Sequence, residues 1–235
     1  MTQGGLRKKP LQERSKATTQ LILDTASRLL VEVGYQAVVA SPTLLLQESG
    51  VSRGSFYAFF ETPEKVLEEL AFQCMQESAV FLGDMLRAGP LTHWHDVVDT
   101  LIKFYVDSFK RPLVRELWVS QNLTPPVRAA DREWMEEVAG KLLSALGQFA
   151  PSFDQFSLRQ CLVVIEILER LFQYAYTEDA DGDQLIVAEI RIVVIQYMSH
   201  YAETDGPDRV RQRGEASSVG DSTRPRGRKT PRAET

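Results

Sequence analysis

The chain has 235 residues, of which 43% are apolar, enough for a sizeable buried core in one large or two modest domains. Its 27 Lys and Arg against 32 Asp and Glu give a net charge of −5. With two cysteines and three histidines, neither a disulfide framework nor a structural metal site is expected. The chain opens without a signal-like segment, and its longest uncharged apolar stretch, residues 192–202, is too short to span a bilayer. We therefore expect a soluble, cytoplasmic protein.

The charges are unevenly distributed along the chain. Residues 1–61 carry seven Lys and Arg against five Asp and Glu, and residues 1–16 alone carry five against one. Residues 62–202 carry twelve against twenty-one, and residues 203–235 carry eight against six. A mildly basic end can attract the phosphate backbone of DNA while an acidic body stays away from it.

The first regular element should be a helix that follows a basic arm. Residues 1–14 lack apolar periodicity, so they are predicted to be flexible, either contacting DNA or forming a solvated tail. A helix is predicted over residues 15–33, with Gly34 as its stop and an apolar stripe at Ile22, Ala26, Leu29 and Val33. This helix should pack beneath the elements that follow.

Two short helices joined by a tight turn come next. Ser41 and Pro42 are typical of a helix start, and that helix should end near Glu48. Residues 49–51 form the turn, and Ser52 caps a second helix over residues 53–60. The order predicts a helix-turn-helix, whose second helix is free to enter a DNA major groove.

The first turn of this second helix carries the candidate DNA contacts. Arg53 can donate two hydrogen bonds to a guanine, although a phosphate contact is the alternative. Gly54 lets the backbone come close, and Ser55 can contact a base. Candidate phosphate contacts are Thr43, Ser52 and Tyr57, with a structural hydroxyl bond as the alternative for the last two.

Several fixed positions resemble a known family. This chain resembles the tetracycline-repressor-like (TetR) family of transcriptional regulators in its helix-turn-helix signature. The matching positions are Gly34-Tyr35 and the run Gly50-Val51-Ser52-x-Gly54-x-Phe56-Tyr57-x-Phe59-Phe60. The resemblance implies a DNA-facing position at Phe59. It also implies a phosphate contact by Lys65, since Pro63 stands where the family usually has a lysine.

The rest of the chain is predicted to be helical, for about nine helices in total in an all-α fold. A long helix over residues 62–87 should link the helix-turn-helix domain, residues 15–61, to an effector-binding and dimerisation domain, residues 62–202. Residues 203–235 are predicted to be a disordered tail. Further helices are predicted over residues 92–109, 113–122, 125–149, from 153 or 154 to 177, and 183–201.

The last two helices are rich enough in apolar residues to pack against a second chain. Their spacing predicts a four-helix bundle at a twofold axis, and the family's dimers are built in this way. A purely intramolecular core is the alternative. The candidate interface residues are Cys161, Ile165, Leu168, Phe172, Ile186, Ile190, Val193 and Tyr197.

Catalytic chemistry has little support in the sequence. His93 and His95 are two apart and diverge on a helix, so a surface or capping role is expected. Glu166, Glu169 and Arg170 are typical of a solvated helix face. Cofactors and metals are not expected, and the chain is predicted not to be an enzyme. Cys74 and Cys161 could sense oxidants or be small core residues.

These observations predict a homodimeric repressor that binds a palindromic operator and is released by a small apolar or aromatic effector. Repression is implied by the resemblance, and the residues leave activation open. The alternative is a helical interaction module or a small helical enzyme without DNA binding. The effector pocket would draw on a subset of the body's aromatic residues, namely Phe72, Phe81, Trp94, Phe104, Tyr105, Trp118, Trp134, Phe172 and Tyr174.

Overall fold

The computed structural model describes residues 13–202, and within that range every regular element is a helix. The predicted tail and residues 1–12 of the predicted arm lie outside the described residues. The predicted all-α fold is confirmed. Its helices are α1 Glu13–Val33, α2 Tyr35–Ala40, α3 Pro42–Ser49, α4 Arg53–Phe59, α5 Pro63–Arg87, α6 Trp94–Phe109, α7 Pro112–Val114, α8 Pro125–Leu146, α9 Leu158–Ala175 and α10 Gln184–Ala202.

Local capping explains why α3 and α4 form where the sequence predicts them. The Ser41 hydroxyl accepts a 3.3 Å hydrogen bond from the Leu44 backbone N–H, and the Ser52 hydroxyl accepts one of 3.1 Å from that of Ser55. Between the two helices Gly50 adopts a left-handed conformation with φ of 63°. The helix-turn-helix is therefore set by interactions within three residues.

Helix α2 is an addition to the predicted elements. It follows Gly34, whose φ of 79° turns the chain away from α1, and it buries Val38 completely. The segment is only six residues long and contains adjacent valines, which favour strands by propensity. Burial of Val38 against the neighbouring helices compensates for the weak local preference.

The helix-turn-helix rests on a buried cluster that we call the head core. Phe56 and Phe60 are fully buried there and hold α4 against α1. The cluster also includes side chains from later in the chain, which belong to α5, to the segment after α6 and to α8. Its members include Ile22, Ala26, Leu29, Leu45, Phe56, Phe60, Val66, Leu70, Cys74, Met75, Val114, Leu117, Trp118 and Val127.

Helix α5 connects the head core to a second cluster, the body core. Thr62 caps it by accepting a 3.3 Å hydrogen bond from the Lys65 N–H, and Pro63 lies in its first turn. Its first half contributes to the head core, whereas Leu82 is buried in the body core. The body core is formed mainly by α6, α8, α9 and α10.

Two body elements differ from the prediction. The helix predicted over residues 113–122 is a three-residue α7 that continues as a π-helical turn, Arg115–Val119. Helix α9 begins at Leu158 because Phe153 and Phe156 are buried within the preceding turns. Ser157 and Gln160 then form a capping box, which fixes the amino terminus of α9.

The predicted interface residues need correction. Cys161, Ile165, Leu168, Phe172 and Ile190 are all 0% exposed and fill the chain's own body core. Apolar spacing identifies the most buried face of a helix, and here that face packs within one chain. Ile186 and Tyr197 are half-buried, and Val193 is 41% exposed. An apolar face also remains beside the buried one, at Val163 and Tyr174 of α9 and Leu185, Ile192 and Val193 of α10.

Helix α10 is the one helix among residues 13–202 that is long and apolar enough to cross a membrane by length and composition. The sequence estimate, based on residues 192–202 alone, understated its apolar length. In the fold, Ile190, Val194 and Met198 are buried in the body core. Arg191 is bound to Asp99 of α6 by two hydrogen bonds of 2.7 and 3.1 Å. These contacts are those of a helix packed into the body of the protein.

Candidate functional site

The amino terminus of α4 is an exposed surface. Ser52, Arg53, Gly54 and Ser55 are all exposed, and so is Thr43 on α3. Arg53 forms no ion pair with any residue between 13 and 202, so its guanidinium is available to a ligand. The Ser52 hydroxyl caps α4 and also donates a 2.9 Å hydrogen bond to the Ser55 hydroxyl. This surface combines a free cation with the positive end of a helix dipole, which suits an anionic partner.

The aromatic residues of α4 divide between support and surface. Phe56 is fully buried, whereas Tyr57 and Phe59 are half-buried. The ring of Tyr57 meets that of Phe56 edge-on, with centroids 5.3 Å apart. Phe56 therefore positions the helix, and Tyr57 and Phe59 lie at the margin of its exposed side.

Lys65 is engaged within the chain. Its ammonium lies 2.6 Å from Oε2 of Glu68, a carboxyl that is only 5% exposed. The other oxygen of Glu68 accepts a 2.9 Å hydrogen bond from the Thr124 hydroxyl. Tyr35 lies close by, and burial together with Glu64 and Glu68 raises its pKa to about 12. This polar cluster joins the head to the body, and Lys65 would have to leave Glu68 to reach a phosphate.

A cavity lies within the body between α5, α6, α8 and α9. Its volume is about 30 Å³, space for no more than one or two water-sized groups. Four of the aromatic residues that the sequence analysis considered for a pocket line it. Its lining is Cys74, Met75, Ser78, Phe104, Tyr105, Ser108, Phe109, Val114, Trp118, Asp131, Trp134 and Glu169.

The cavity wall contains two carboxyl groups, those of Asp131 and Glu169. Glu169 is 7% exposed, which corrects its prediction as a solvated residue, whereas Glu166 and Arg170 are exposed as expected. Burial, with the nearby charge of Asp131, raises the pKa of Glu169 to about 7. Burial also raises the pKa of Asp131. Asp131 accepts a 2.9 Å hydrogen bond from Trp118 Nε1, and Glu169 accepts one of the same length from Gln173.

Two polar atoms in the cavity wall are buried without a hydrogen-bond partner among residues 13–202. They are the hydroxyl of Tyr105 and the indole N–H of Trp134. Buried polar groups are nearly always paired in proteins, so two such atoms on one cavity indicate a place for a ligand or for solvent.

Two larger spaces adjoin the cavity. One, of about 140 Å³, lies between α5 and α8 and shares Met75 and Trp134 with the cavity wall. The other, of about 320 Å³, lies between α5 and α6 and shares Ser78 and Ser108. Only the side chains shared between their walls separate the cavity from these two spaces.

The cysteines and histidines have structural roles here. Burial raises the pKa of Cys74 to about 11 and that of Cys161 to about 12, so neither thiol readily forms a reactive thiolate. His93 caps α6, its Nδ1 accepting a 3.1 Å hydrogen bond from the His95 N–H. The expected capping role is thereby confirmed. Among residues 13–202, no group of His, Cys, Asp and Glu is arranged to hold a metal ion.

An exposed, capped helix of a helix-turn-helix, joined by one long helix to a body with a cavity, defines an all-α DNA-binding regulator. Comparison with known proteins shows which family the second half of the chain is similar to. Residues 92–202 match the family described as "Tetracyclin repressor-like, C-terminal domain". Residues 92–202 are therefore similar to the C-terminal domain of tetracycline-repressor-like (TetR) regulators, and the described residues have the fold of TetR-family structures. Among curated proteins, none matches the sequence.

The chain also matches solved structures of the same fold over nearly all of their length. A TetR-family transcriptional regulator from Streptomyces coelicolor is 24% identical, with a TM-score of 0.62 over 80% of this chain and 98% of that one. A putative TetR-family regulator from Syntrophomonas wolfei is 14% identical, with a TM-score of 0.59 over 78% and 96%. The multidrug binding protein EbrR, solved with imidazole, is 18% identical, with a TM-score of 0.55 over 76% and 93%.

Proposed function

We propose that this regulator is a cytoplasmic, homodimeric repressor that leaves its operator when a small molecule occupies the body cavity. The observation that carries the proposal is the exposed, capped amino terminus of α4, with Arg53 unpaired among the described residues and Phe56 buried beneath it. Residues 15–61 would serve as the DNA-binding domain and residues 62–202 as the effector and dimer domain.

On DNA, α4 would enter the major groove amino terminus first. Arg53 would contact a guanine edge, with Gly54 and Ser55 close to the bases. The remaining contacts would go to the backbone and come from Thr43, Ser52, Tyr57, Phe59 and, once released from Glu68, Lys65.

The head core offers a route by which the cavity can act on α4. Trp118, Cys74 and Met75 belong to the head core and also line the cavity. A ligand that displaces these side chains would therefore alter the seat of the helix-turn-helix. The ligand would bind the DNA-binding conformation of the protein and the released conformation with different free energies. That difference sets how far the ligand can lower the affinity for DNA.

The unpartnered apolar face of α9 and α10 supports the dimer. Tyr174 is 63% exposed, Leu185 80% and Ile192 53%, which is unusual for large apolar side chains on adjacent helices. A second copy packed on this face would bury them and place two α4 helices about 34–36 Å apart on a palindromic site.

The direct test uses fluorescence anisotropy to measure binding of the full chain to the DNA upstream of its own coding region. We expect sequence-specific binding whose affinity falls steeply as salt rises, because Lys and Arg displace counterions from phosphates. Equal, salt-insensitive binding to every duplex would contradict the proposal. A helical interaction module without DNA binding would give that result.

A further inference from the structure

We propose that the molecule recognised by the body cavity is a compact organic cation with N–H donors, such as an amidinium or a protonated amine attached to an aromatic ring. This inference rests on the proposed function, since it names the class of effector for the same cavity. It is carried by the two carboxyl groups, the aromatic walls and the unpartnered Tyr105 hydroxyl.

The charge of the cavity decides the sign of the ligand. Asp131 on α8 and Glu169 on α9 both line it, and among the described residues its lining includes no Lys, Arg or His. Each carboxyl has one oxygen bonded to a neutral donor, Trp118 or Gln173, which leaves the negative charge without a cation. A buried acid and a half-buried one, without a counterion in the cavity wall, make the site unfavourable to anions and favourable to a cation.

The shape and the remaining polar atoms fit the same class. The rings of Phe104 and Trp134 stack at 6.3 Å, and a planar cation is attracted to such faces. The Tyr105 side chain is 1% exposed, and its hydroxyl oxygen can accept from a ligand N–H. The indole N–H of Trp134 can only donate and would suit a carbonyl instead. Hydrogen bonds to charged groups are roughly twice as strong as neutral ones, so the carboxyls outweigh this donor.

The approach to the cavity is also acidic. The adjoining space of about 140 Å³ between α5 and α8 is lined by Glu133 and Glu137. Only Met75 and Trp134 are shared between this space and the cavity, and the flexible thioether of Met75 can move aside. An entrance of one sign of charge raises the local concentration of a ligand of the opposite sign.

The test compares two probes of nearly equal shape, benzamidinium and neutral benzamide, on the full chain without DNA. Binding is followed by tryptophan fluorescence, because Trp118 and Trp134 line the cavity, and by calorimetry. We expect benzamidinium to bind about tenfold or more tightly than benzamide. Equal or tighter binding of benzamide, or no binding of benzamidinium, would overturn the proposal.

Variants locate the site and separate charge from shape. Glu169→Gln and Asp131→Asn keep the acceptor oxygens used by Gln173 and Trp118 but remove the charge. Each should weaken benzamidinium binding about tenfold and leave benzamide unaffected. Glu136→Gln, the same change at an exposed position of α8 that lines neither the cavity nor the adjoining space, is the matched control and should have no effect. Unchanged binding in both cavity variants would refute the site.

The acidity of Glu169 adds a second measurement. Burial and the charges of Asp131 and Glu166 raise the pKa of Glu169 to about 7, while Gln173 and Tyr105, which also face this carboxyl, act in the opposite direction. Benzamidinium stays charged from pH 6 to 8, so its affinity should rise about tenfold over that interval as Glu169 ionises. Glu169→Gln should abolish the rise. A pH-independent affinity in the wild-type chain would contradict the role of Glu169.

DNA binding is measured in parallel so that the two proposals can fail separately. If benzamidinium binds and DNA affinity falls, both are supported. If it binds and DNA affinity is unchanged, the ligand class stands and ligand-induced release is wrong. If benzamide is preferred, the ligand class is wrong whatever happens to DNA.

Discussion

The indole N–H of Trp118 donates a 2.9 Å hydrogen bond to Oδ1 of Asp131. Trp118 is part of the head core beneath the helix-turn-helix, and Asp131 is part of the cavity wall on α8. One hydrogen bond thus connects the head core, which lies beneath the candidate DNA-binding surface, to a carboxyl group in the cavity wall. Trp118 is placed for this by the π-helical turn Arg115–Val119, a type of distortion that is often found at functional sites.

Trp118→Phe should destabilise the protein by roughly 1–3 kcal/mol, because it leaves a partly buried carboxyl without its donor. The measurement is urea denaturation at neutral pH. Trp94→Phe is the matched control, since Trp94 is half-buried and donates no hydrogen bond to any residue in the described range. Equal losses in the two variants would mean that the bond to Asp131 contributes nothing.

Arg53→Ala should lower affinity for the specific DNA site by about 1–3 kcal/mol and relax the sequence preference at one base pair. The fold should be unaffected, because Arg53 is exposed. Affinity is measured by anisotropy on the specific site and on variants of it. Arg159→Ala removes an exposed arginine from the first turn of α9 and should leave DNA binding intact. If Arg53→Ala weakened binding equally to all sequences, Arg53 would contact phosphate alone.

Glu169→Gln should stabilise the protein above pH 7. The pKa of Glu169 is raised from 4.5 to about 7 in the folded chain, so folding becomes less favourable as pH rises between these values. The wild-type chain should therefore match the variant near pH 4 and be up to about 3 kcal/mol less stable at pH 8.

The difference between the two denaturation curves isolates this group from all other titrations. Glu136→Gln, at an exposed position of α8 that is not among the groups acting on Glu169, should not reproduce this pH-dependent difference. A Glu169→Gln variant that was less stable than wild type at pH 8 would show that the carboxylate is better solvated than its burial implies.

Ile192→Asp should convert the dimer to a monomer. In a twofold-symmetric dimer this one substitution removes two isoleucine side chains from the interface and introduces two charges. Association should therefore weaken by about a thousandfold or more. Sedimentation velocity at micromolar concentration detects the change. Val80→Asp, at a 64% exposed position on α5, should stay dimeric. A wild-type chain that sedimented as a monomer would remove the basis for this prediction.

Signals that act over three or four residues could be predicted from the sequence. The caps by Ser41, Ser52 and Thr62 are examples, because each hydroxyl bonds a backbone N–H three residues ahead. The left-handed conformation of Gly50 belongs to the same class. With the apolar spacing of the long helices, these features determined the helix-turn-helix and the all-α fold.

Features that depend on residues far apart in the chain could not be predicted in this way. Glu68 accepts a hydrogen bond from Thr124, and Glu169 owes its raised pKa mainly to burial and to the charge of Asp131 on α8. Its spacing with Glu166 and Arg170 is that of a solvated surface, yet the rotation of α9 turns it inward. The apolar stripe at Cys161 and Ile165 likewise indicated burial without telling which chain would provide it.

The sequence by itself thus determined the helix-turn-helix that carries the candidate DNA contacts, because its caps and its buried Phe56 are encoded within a few residues of one another. Only the tertiary structure decided which acids line the cavity, where Lys65 is held and which face of α10 is left uncovered. The physical reason is that burial and charge pairing are set by how the helices rotate and pack together, and no short stretch of sequence contains that information.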